Sequence, residues 1–337
     1  MKTPTLRPAP TPSASDVRAA ADRIRPHVRR TPLLDVETDG RRVLLKLEYL
    51  QRSGSFKLRG ALNAMLSGSS DDHVVAASGG NHGLAVATAA SLLGMSATVY
   101  VPRTVPEAKA RRIEAAGARL VRHGATFAEA ASAAAEIAAR PGHRFVHPYD
   151  DPAVVAGQGT VAAEILADAP DVDTVAVAVG GGGLAAGTAL ALGLPEGVAD
   201  GPENASGVPE GAPGGRGVVP GGRRVVAVEP EHCRCLHDAL AAGGPTDSAV
   251  DSVAASATGA SRAGALPYAV LAAHDVVSVL VGDEEILAAR DLLWEEYRIA
   301  AEPAAAVPFA AWLAGRVPGE RPCLVVCGAN TDWTPTM

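Results

Sequence analysis

Short apolar runs alternate with alanine-rich stretches along most of this chain, and this alternation constrains the fold more than any other feature. The apolar runs have the length of strands and lack the polar–apolar alternation of a half-exposed sheet. Continuous apolar strands are typical of parallel sheets with helices on both faces, so the pattern predicts an α/β protein with doubly wound parallel sheets. Predicted strands cover residues 74–77, 97–101, 119–122, 144–147, 174–179, 225–228, 276–279 and 323–326, and predicted helices cover 82–93, 107–116, 126–139, 154–167 and 283–298.

Composition and charge exclude several classes of protein. Apolar residues make up 47% of the chain, and no uninterrupted apolar run is long enough to cross a bilayer. The net charge is −7 and the basic residues are scattered, so neither a nucleic-acid nor a membrane partner is expected. Residues 1–15 are rich in proline and lack the apolar centre of a secretory signal, so we expect a cytoplasmic protein whose four cysteines are not paired in disulfides.

One segment interrupts the alternation. Residues 195–224 are dense in glycine and proline and carry no apolar period. Such a composition cannot build a core, because it offers too little apolar surface to bury. We therefore predict a flexible surface loop inserted at 195–224.

A glycine run follows the predicted strand at 174–179 and opens an alanine- and leucine-rich helix: Gly180, Gly181, Gly182 and Gly183. Backbone N–H groups at such a helix start close around an anion, whereas a tight turn needs only one or two glycines. The run therefore predicts a phosphate-binding loop. It is not a P-loop, because no Gly-Lys-Ser/Thr follows. Gly181-x-Gly183-x-x-Ala186, with Glu229 ending the next strand, also satisfies a loose dinucleotide pattern, so that alternative stays open here.

The stretch Ser53-Gly54-Ser55-Phe56-Lys57-Leu58-Arg59-Gly60 places a lysine at a predicted helix start, beside an aromatic residue. A lysine amine can form a Schiff base with an aldehyde cofactor, and the positive end of a helix dipole helps to lower its pKa. Phe56 offers a flat face to a cofactor ring. Taken alone, the motif fits a solvent-exposed surface lysine equally well.

Two further motifs stand at strand ends. Ser78-Gly79-Gly80-Asn81-His82 exposes backbone N–H groups that suit a carboxylate, and Asn81 adds a side-chain amide for a ring hydroxyl or carbonyl. The alternative is an ordinary helix cap by Ser78 or Asn81. The other motif, Cys327-Gly328-Ala329-Asn330, carries a thiol that by itself predicts packing more than chemistry.

Together and in this order, the four motifs resemble the fold-type II pyridoxal-phosphate enzymes, and within them the branch of serine/threonine dehydratases, or threonine deaminases, and serine racemases. The stretch from His147 to Thr160 and the pair Glu302-Pro303 also resemble that branch, and the likeness runs from about Arg30 to Asp332. It implies two doubly wound parallel-sheet domains, as in the tryptophan synthase β subunit. Residues 1–67 and 150–337 would form the large cofactor-binding domain, and residues 72–147 the small one.

The resemblance also implies residue roles. Lys57 would carry pyridoxal phosphate and act as the catalytic base, and the protein would be a homodimer. The remaining cofactor contacts would come from Phe56 against the pyridine ring, Asn81 at the ring hydroxyl, Gly180, Gly181, Gly182, Gly183 and Leu184 at the phosphate, and Cys327 at the ring nitrogen. The substrate carboxylate would be held by Ser78, Gly79, Gly80, Asn81 and His82.

One expected feature of the family is incomplete. Members that bind a divalent cation use a glutamate after a Val-Glu-Pro strand and a carboxylate six residues later. Glu229 is present, but Cys235 stands at the later position. Magnesium and calcium prefer oxygen ligands, so Glu229 is a metal-ligand candidate without its usual second carboxylate.

The implied activity is the elimination of water and ammonia from L-threonine or L-serine, giving 2-oxobutyrate or pyruvate. The alternative is a serine racemase, or a dehydratase of another β-hydroxy amino acid such as 3-hydroxyaspartate. A racemase needs a second acid on the cofactor face opposite the lysine, and the matching position here is Gly79, which has no proton to give. Tyr149, where racemases tend to carry a smaller amide, also favours elimination. A dinucleotide oxidoreductase and a non-catalytic binding module are more distant alternatives.

Overall fold

The computed structural model describes residues 11–38, 40–193, 222–274 and 276–333. Its helices are α1 (Ala14–Ile24), α2 (Lys57–Leu66), α3 (Asn81–Leu93), α4 (Glu107–Ala115), α5 (Phe127–Ala138), α6 (Pro152–Asp168), α7 (Gly183–Leu192), α8 (Cys235–Ala242), α9 (Ala255–Thr258), α10 (Ala265–Ala272), α11 (Asp283–Tyr297) and α12 (Pro303–Leu313). Its strands are β1 (Leu33–Thr38), β2 (Arg41–Lys46), β3 (His73–Ala77), β4 (Ala97–Val101), β5 (Arg119–Arg122), β6 (His143–Phe145), β7 (Thr174–Ala178), β8 (Arg224–Pro230), β9 (Val276–Val281) and β10 (Pro322–Val325).

Two sheets organise the described residues. The larger has six strands in the order β1-β2-β10-β7-β8-β9, and the smaller has four in the order β5-β4-β3-β6. All neighbours in the small sheet, and those from β2 to β9 in the large one, run parallel. All strands of the small sheet fall between His73 and Phe145, and the strands of the large sheet lie outside that range. Each sheet buries its own apolar cluster, as its continuous apolar strands predict.

The large sheet has one antiparallel pair, at its edge, for which no strands were predicted. β1 and β2 pair antiparallel, from Leu33 opposite Lys46 to Thr38 opposite Arg41. β1 is an edge strand whose side chains are mostly half-buried or exposed, so it has no continuous apolar run to reveal it. The Asp-Gly dipeptide between the two strands is a hairpin signal that would have predicted this pair.

The other predicted strands and helices are present, and each boundary lies within two residues of its predicted position. Local capping explains several boundaries. Asp151 accepts a hydrogen bond from the Val154 N–H at 2.9 Å and starts α6, and Thr126 and Glu129 form a capping box that starts α5. The helices for which no range was predicted include α1, α8, α10 and α12, of which α12 contains an internal proline, Pro308.

The predicted loop at 195–224 lies, up to residue 221, outside the described residues, and Arg224 begins β8. Within the described ranges, no helix combines the length and the apolar character that a membrane span requires.

Candidate active site

Lys57 is the first residue of α2, as predicted, and the chain before it pairs with the segment after β10. Ser55 forms an isolated antiparallel bridge with Gly328, and the Phe56 N–H donates to the Cys327 carbonyl at 3.0 Å. These contacts join two motifs that lie near opposite ends of the sequence. They hold the start of α2 beside Cys327.

The Lys57 amine lies in a partly buried position. Its Nζ donates to the Pro148 carbonyl at 2.8 Å and lies 5.0 Å from the centre of the Phe56 ring. Burial lowers the pKa of Lys57 to about 8, although the Cys327 thiol acts in the opposite direction. A much larger share of this amine is neutral near pH 7 than in a surface lysine, so it can act as a nucleophile or a base. The interpretation of Lys57 as an ordinary surface lysine is therefore not favoured.

A buried ionic cluster holds the first turn of α2. Arg59 donates to both carboxylate oxygens of Glu48 at 2.8 Å and to Glu164 at 2.8 and 2.9 Å. Lys46 donates to Glu164 at 2.7 Å, and the Arg59, Glu48 and Lys46 side chains are all fully buried. Two cations therefore balance two anions, and the paired geometry offsets their cost of desolvation. The cluster ties α2 to β2 and α6 two residues beyond Lys57.

The glycine run forms the turn between β7 and α7, and a side chain at Gly181 or Gly182 would require its surroundings to shift. Gly182 has a φ of +93°, which favours glycine, and a Cβ there would lie 2.9 Å from Pro267. A Cβ on Gly181 would lie 2.3 Å from the Tyr149 ring, and one on Gly180 would lie 3.0 Å from the Thr258 backbone. The first amides of α7 have no acceptor within their own helix. The turn thus presents free N–H groups at the positive end of a helix, which suits a phosphate.

The loop from Ser78 to His82 joins β3 to α3. Asn81 begins α3, and the Ser78 hydroxyl accepts the Gly80 N–H at 3.2 Å. The Asn81 side chain does not cap the helix, because its Nδ2 donates to Glu302 at 2.6 Å and its Oδ1 accepts from Asn330 at 2.8 Å. This loop of the small sheet is therefore bonded to residues beside the large sheet.

His82 and Gly79 restrict what this loop can do. The His82 Nε2 bonds to the Val146 carbonyl at 2.8 Å, and burial lowers the pKa of His82 to about 3, so the ring stays neutral. Its single N–H is donated to the Val146 carbonyl, so the neutral ring has no second N–H for a carboxylate, and only the His82 backbone N–H could serve one. A Cβ on Gly79 would lie 2.6 Å from Val105, so a side chain there requires Val105 to move.

Two groups at the site were missed from the sequence. Glu302 was noted only as part of the family resemblance, yet its buried carboxylate accepts a hydrogen bond from Asn81. Burial raises the pKa of Glu302 to about 7, although the hydrogen bond from Asn81 acts in the opposite direction. The four-residue helix α9 lies between the two loops: the Ser256 carbonyl is 3.3 Å from an ideal Cβ on Gly80, and Thr258 packs on Gly180. No sequence signal marks α9, since it is short and alanine-rich.

Glu229, the metal-ligand candidate, uses both of its carboxylate oxygens to accept backbone hydrogen bonds. Its carboxylate accepts the N–H groups of Leu236 at 2.9 Å and His237 at 2.8 Å, so it caps α8. The Cys235 thiol donates to the Gly180 carbonyl at 3.2 Å. Across the described residues, no three His, Cys, Asp or Glu side chains are grouped to hold a metal. The metal site stays a prediction that lacks a ligand set.

Pyridoxal phosphate fits the residues that meet here. The glycine turn provides a phosphate cradle that side chains would fill, and Lys57 provides an amine with a lowered pKa. Burial raises the pKa of Cys327 above its usual range, so this residue stays a neutral thiol beside Lys57. Ser55 has a buried hydroxyl without a hydrogen-bond partner among the described residues. The site thus combines an anion cradle, a reactive amine and one buried hydroxyl that is free to bond.

Fold and site together define a cofactor-dependent enzyme of the parallel α/β class. The chain belongs to the family described as pyridoxal-phosphate dependent enzymes, whose model matches residues 24–328. Among its relatives is a catabolic L-threonine dehydratase of Staphylococcus aureus, 34% identical over 345 residues, which cover 98% of this chain and 93% of that protein. An L-threonine ammonia-lyase of Geobacter sulfurreducens is 36% identical over 328 residues, covering 94% and 75%.

Solved structures agree with this assignment. The crystal structure of a threonine deaminase from T.th. matches with a TM-score of 0.83 and 34% identity, covering 96% of this chain and 100% of that one. A serine racemase of Dictyostelium discoideum matches with a TM-score of 0.82 and 27% identity, again covering 96% and 100%. The chain is therefore a fold-type II pyridoxal-phosphate enzyme, and the dinucleotide alternative is wrong.

Replacing Gly181 by alanine is expected to weaken pyridoxal-phosphate binding by about five-fold or more, because overpacking of this kind costs about 1–3 kcal/mol. The new Cβ would lie 2.3 Å from the Tyr149 ring, so the ring or the glycine turn has to move. Cofactor titration of the apoprotein measures the effect. Gly193→Ala, at the other end of α7, is the matched control, since its Cβ would meet only an ordinary contact at 3.5 Å. Equal affinities in the two variants would contradict the prediction.

Proposed function

We propose that this enzyme eliminates water from L-threonine or L-serine and releases 2-oxobutyrate or pyruvate together with ammonia. The observation that carries the proposal is the partly buried amine of Lys57, with its pKa lowered to about 8, among an anion-binding turn and a carboxylate-binding loop. The relatives named threonine dehydratase and threonine ammonia-lyase support the same reaction.

Each residue has a defined task in this proposal. Lys57 binds the cofactor and then removes the proton from the substrate Cα, as a general base near neutral pH. The amides at the start of α7, from Gly180 to Leu184, would bind the cofactor phosphate. The loop from Ser78 to His82 would bind the substrate carboxylate at the start of α3. Pyridoxal phosphate, when bound, supplies an electron sink for the charge that develops at Cα.

The remaining cofactor contacts follow from the same placement. Phe56 would pack against the pyridine ring, and the Asn81 amide, already held between Glu302 and Asn330, would bond the ring hydroxyl. Cys327 would face the ring nitrogen as a neutral thiol, because burial raises its pKa. A neutral thiol would not force that nitrogen to be protonated, so the electron sink would be weaker than with an acidic partner, which favours prompt loss of the β-hydroxyl.

Racemisation is the second candidate, since serine racemases are among the structural neighbours. It requires an acid that returns a proton to Cα from the face opposite Lys57. The matching position is Gly79, which has no side chain and whose Cβ position is crowded by Val105. Elimination therefore remains the better-supported reaction.

Incubation with L-threonine, L-serine, their D-enantiomers and 3-hydroxyaspartate tests the proposal. Oxo-acid and ammonia release are measured together with the appearance of D-serine. We expect oxo acid and ammonia in equal amounts from L-threonine or L-serine, and little D-serine. D-serine formed as fast as pyruvate would establish the racemase, and turnover confined to 3-hydroxyaspartate would establish the other dehydratase.

We further propose the domain division given by the resemblance, with residues 72–147 as the small domain and 1–67 with 150–337 as the large one. The separate sheets support it. A cytoplasmic location is proposed because all four cysteines are unpaired and buried, as in a reducing compartment. A homodimer is proposed from the resemblance, and light scattering tests it.

A further inference from the structure

His147 lies where the chain leaves β6 and crosses to α6. Its Nδ1 accepts two backbone hydrogen bonds, from the Tyr149 N–H at 3.2 Å and from the Asp150 N–H at 2.7 Å. A ring nitrogen that accepts two N–H groups carries no proton, so the imidazole is neutral with its hydrogen on Nε2. These bonds fold residues 147–150 into a turn, which explains why the strand predicted over 144–147 ends at Phe145.

The turn places the Tyr149 side chain in contact with the glycine run. The Tyr149 ring occupies the space next to Gly181, where a Cβ would lie 2.3 Å from the ring, and its own Cβ lies 3.0 Å from an ideal Cβ on Gly183. The His147 imidazole contacts the Tyr149 ring edge-on, with 4.7 Å between ring centres and an interplanar angle of 88°. His147 therefore supports Tyr149 from behind as well as through its backbone.

The same turn also holds the glycine run from its other side. The Asp150 carboxylate accepts the N–H groups of Ala265 at 3.2 Å and Leu266 at 2.9 Å, at the start of α10. Gly264, directly before α10, donates its N–H to the Gly181 carbonyl at 3.1 Å. Tyr149 therefore contacts Gly181 directly, while Asp150 holds the start of α10, and the residue before α10 bonds to Gly181. Both Tyr149 and Asp150 donate their backbone N–H groups to His147.

We propose that His147 is a positioning residue for the phosphate-binding turn. Its acceptor nitrogen sets the 147–150 turn, and through Tyr149 and Asp150 that turn fixes the backbone around Gly181. The proposal rests on the proposed binding of the cofactor phosphate at Gly180 to Leu184. It requires a hydrogen-bond acceptor at position 147, and an aromatic ring alone does not suffice.

Two substitutions separate the acceptor from the ring. His147→Phe keeps an aromatic ring against Tyr149 and removes the acceptor. His147→Asn removes the ring and keeps an oxygen that can accept the N–H groups two and three residues ahead, as asparagine does in turns. His143→Phe, at the start of β6, is the matched control, because its ring bonds to the Pro141 carbonyl and contacts the His73 ring. The readout is the dissociation constant of pyridoxal phosphate, from titration of the apoprotein, together with the apoprotein melting temperature.

We expect His147→Phe to raise the dissociation constant by about ten-fold or more, from two lost hydrogen bonds, and His147→Asn to stay within about three-fold of the wild type. His143→Phe should bind normally. Normal binding by His147→Phe, or binding by His147→Asn as weak as by His147→Phe, would overturn the proposal. If His147→Phe does not fold, His147→Ser and His147→Ala provide the same contrast, since a serine hydroxyl accepts in such turns and alanine cannot.

The two proposals fail in different ways. If the affinity contrast holds but no oxo acid is released from any substrate, the proposed reaction is wrong and the role of His147 stands. If the wild type releases oxo acid and all the variants bind the cofactor equally, the role of His147 is wrong and the reaction stands.

Discussion

Replacing Lys57 by alanine should lower turnover by more than about three orders of magnitude, because the variant loses the amine that we propose as both the covalent attachment point of the cofactor and the catalytic base. The Lys57 amine is suited to both tasks by its partly buried position and its pKa of about 8. The glycine turn is left intact, so pyridoxal phosphate should still bind, but without a covalent bond. Oxo-acid release and the mass of the borohydride-treated protein measure the two effects separately.

Lys109→Ala is the control for the mass measurement. Lys109 lies on α4, so its loss should leave the borohydride label on Lys57. A label that persists in Lys57→Ala would place the cofactor on another amine. Turnover of Lys57→Ala at the wild-type rate would refute the assignment of the base.

Replacing Arg59 by methionine should lower the free energy of unfolding by about 3–5 kcal/mol, the usual cost of breaking a buried ion pair from one side. Methionine keeps much of the side-chain volume but removes the four short bonds that Arg59 gives to Glu48 and Glu164. Only Lys46 then remains to balance the two carboxylates within the cluster. Urea unfolding of the apoprotein gives the difference directly.

The double variant Arg59→Met, Glu48→Gln tests the electrostatic cause. It restores the charge balance, since Lys46 and Glu164 remain paired at 2.7 Å. It should recover at least about half of the stability lost by the single variant, because an uncompensated buried charge is the dominant cost. A double variant that is less stable than Arg59→Met would show that packing, not charge, sets the loss.

Features that depend on neighbouring residues could be predicted from the sequence. Continuous apolar runs predicted the parallel strands, since a strand buried on both faces has no polar positions. The four glycines, placed between an apolar run and an alanine- and leucine-rich stretch, predicted the turn before α7. Lys57 was correctly predicted at a helix start, and the order of the motifs identified the family and its cofactor.

Contacts between distant segments could not be predicted, because they depend on how the whole chain packs. Asn81 is bonded to Glu302 and Asn330, more than 200 residues away, and nothing local in the sequence specifies such partners. The pKa values of Lys57 and Glu302 are shifted mainly by burial, which depends on the packed fold and not on residue type. Tyr149 lies on Gly181 because the His147 turn directs it there. The sequence therefore determines the local elements and the reactive groups, while long-range packing sets their contacts and their charge states.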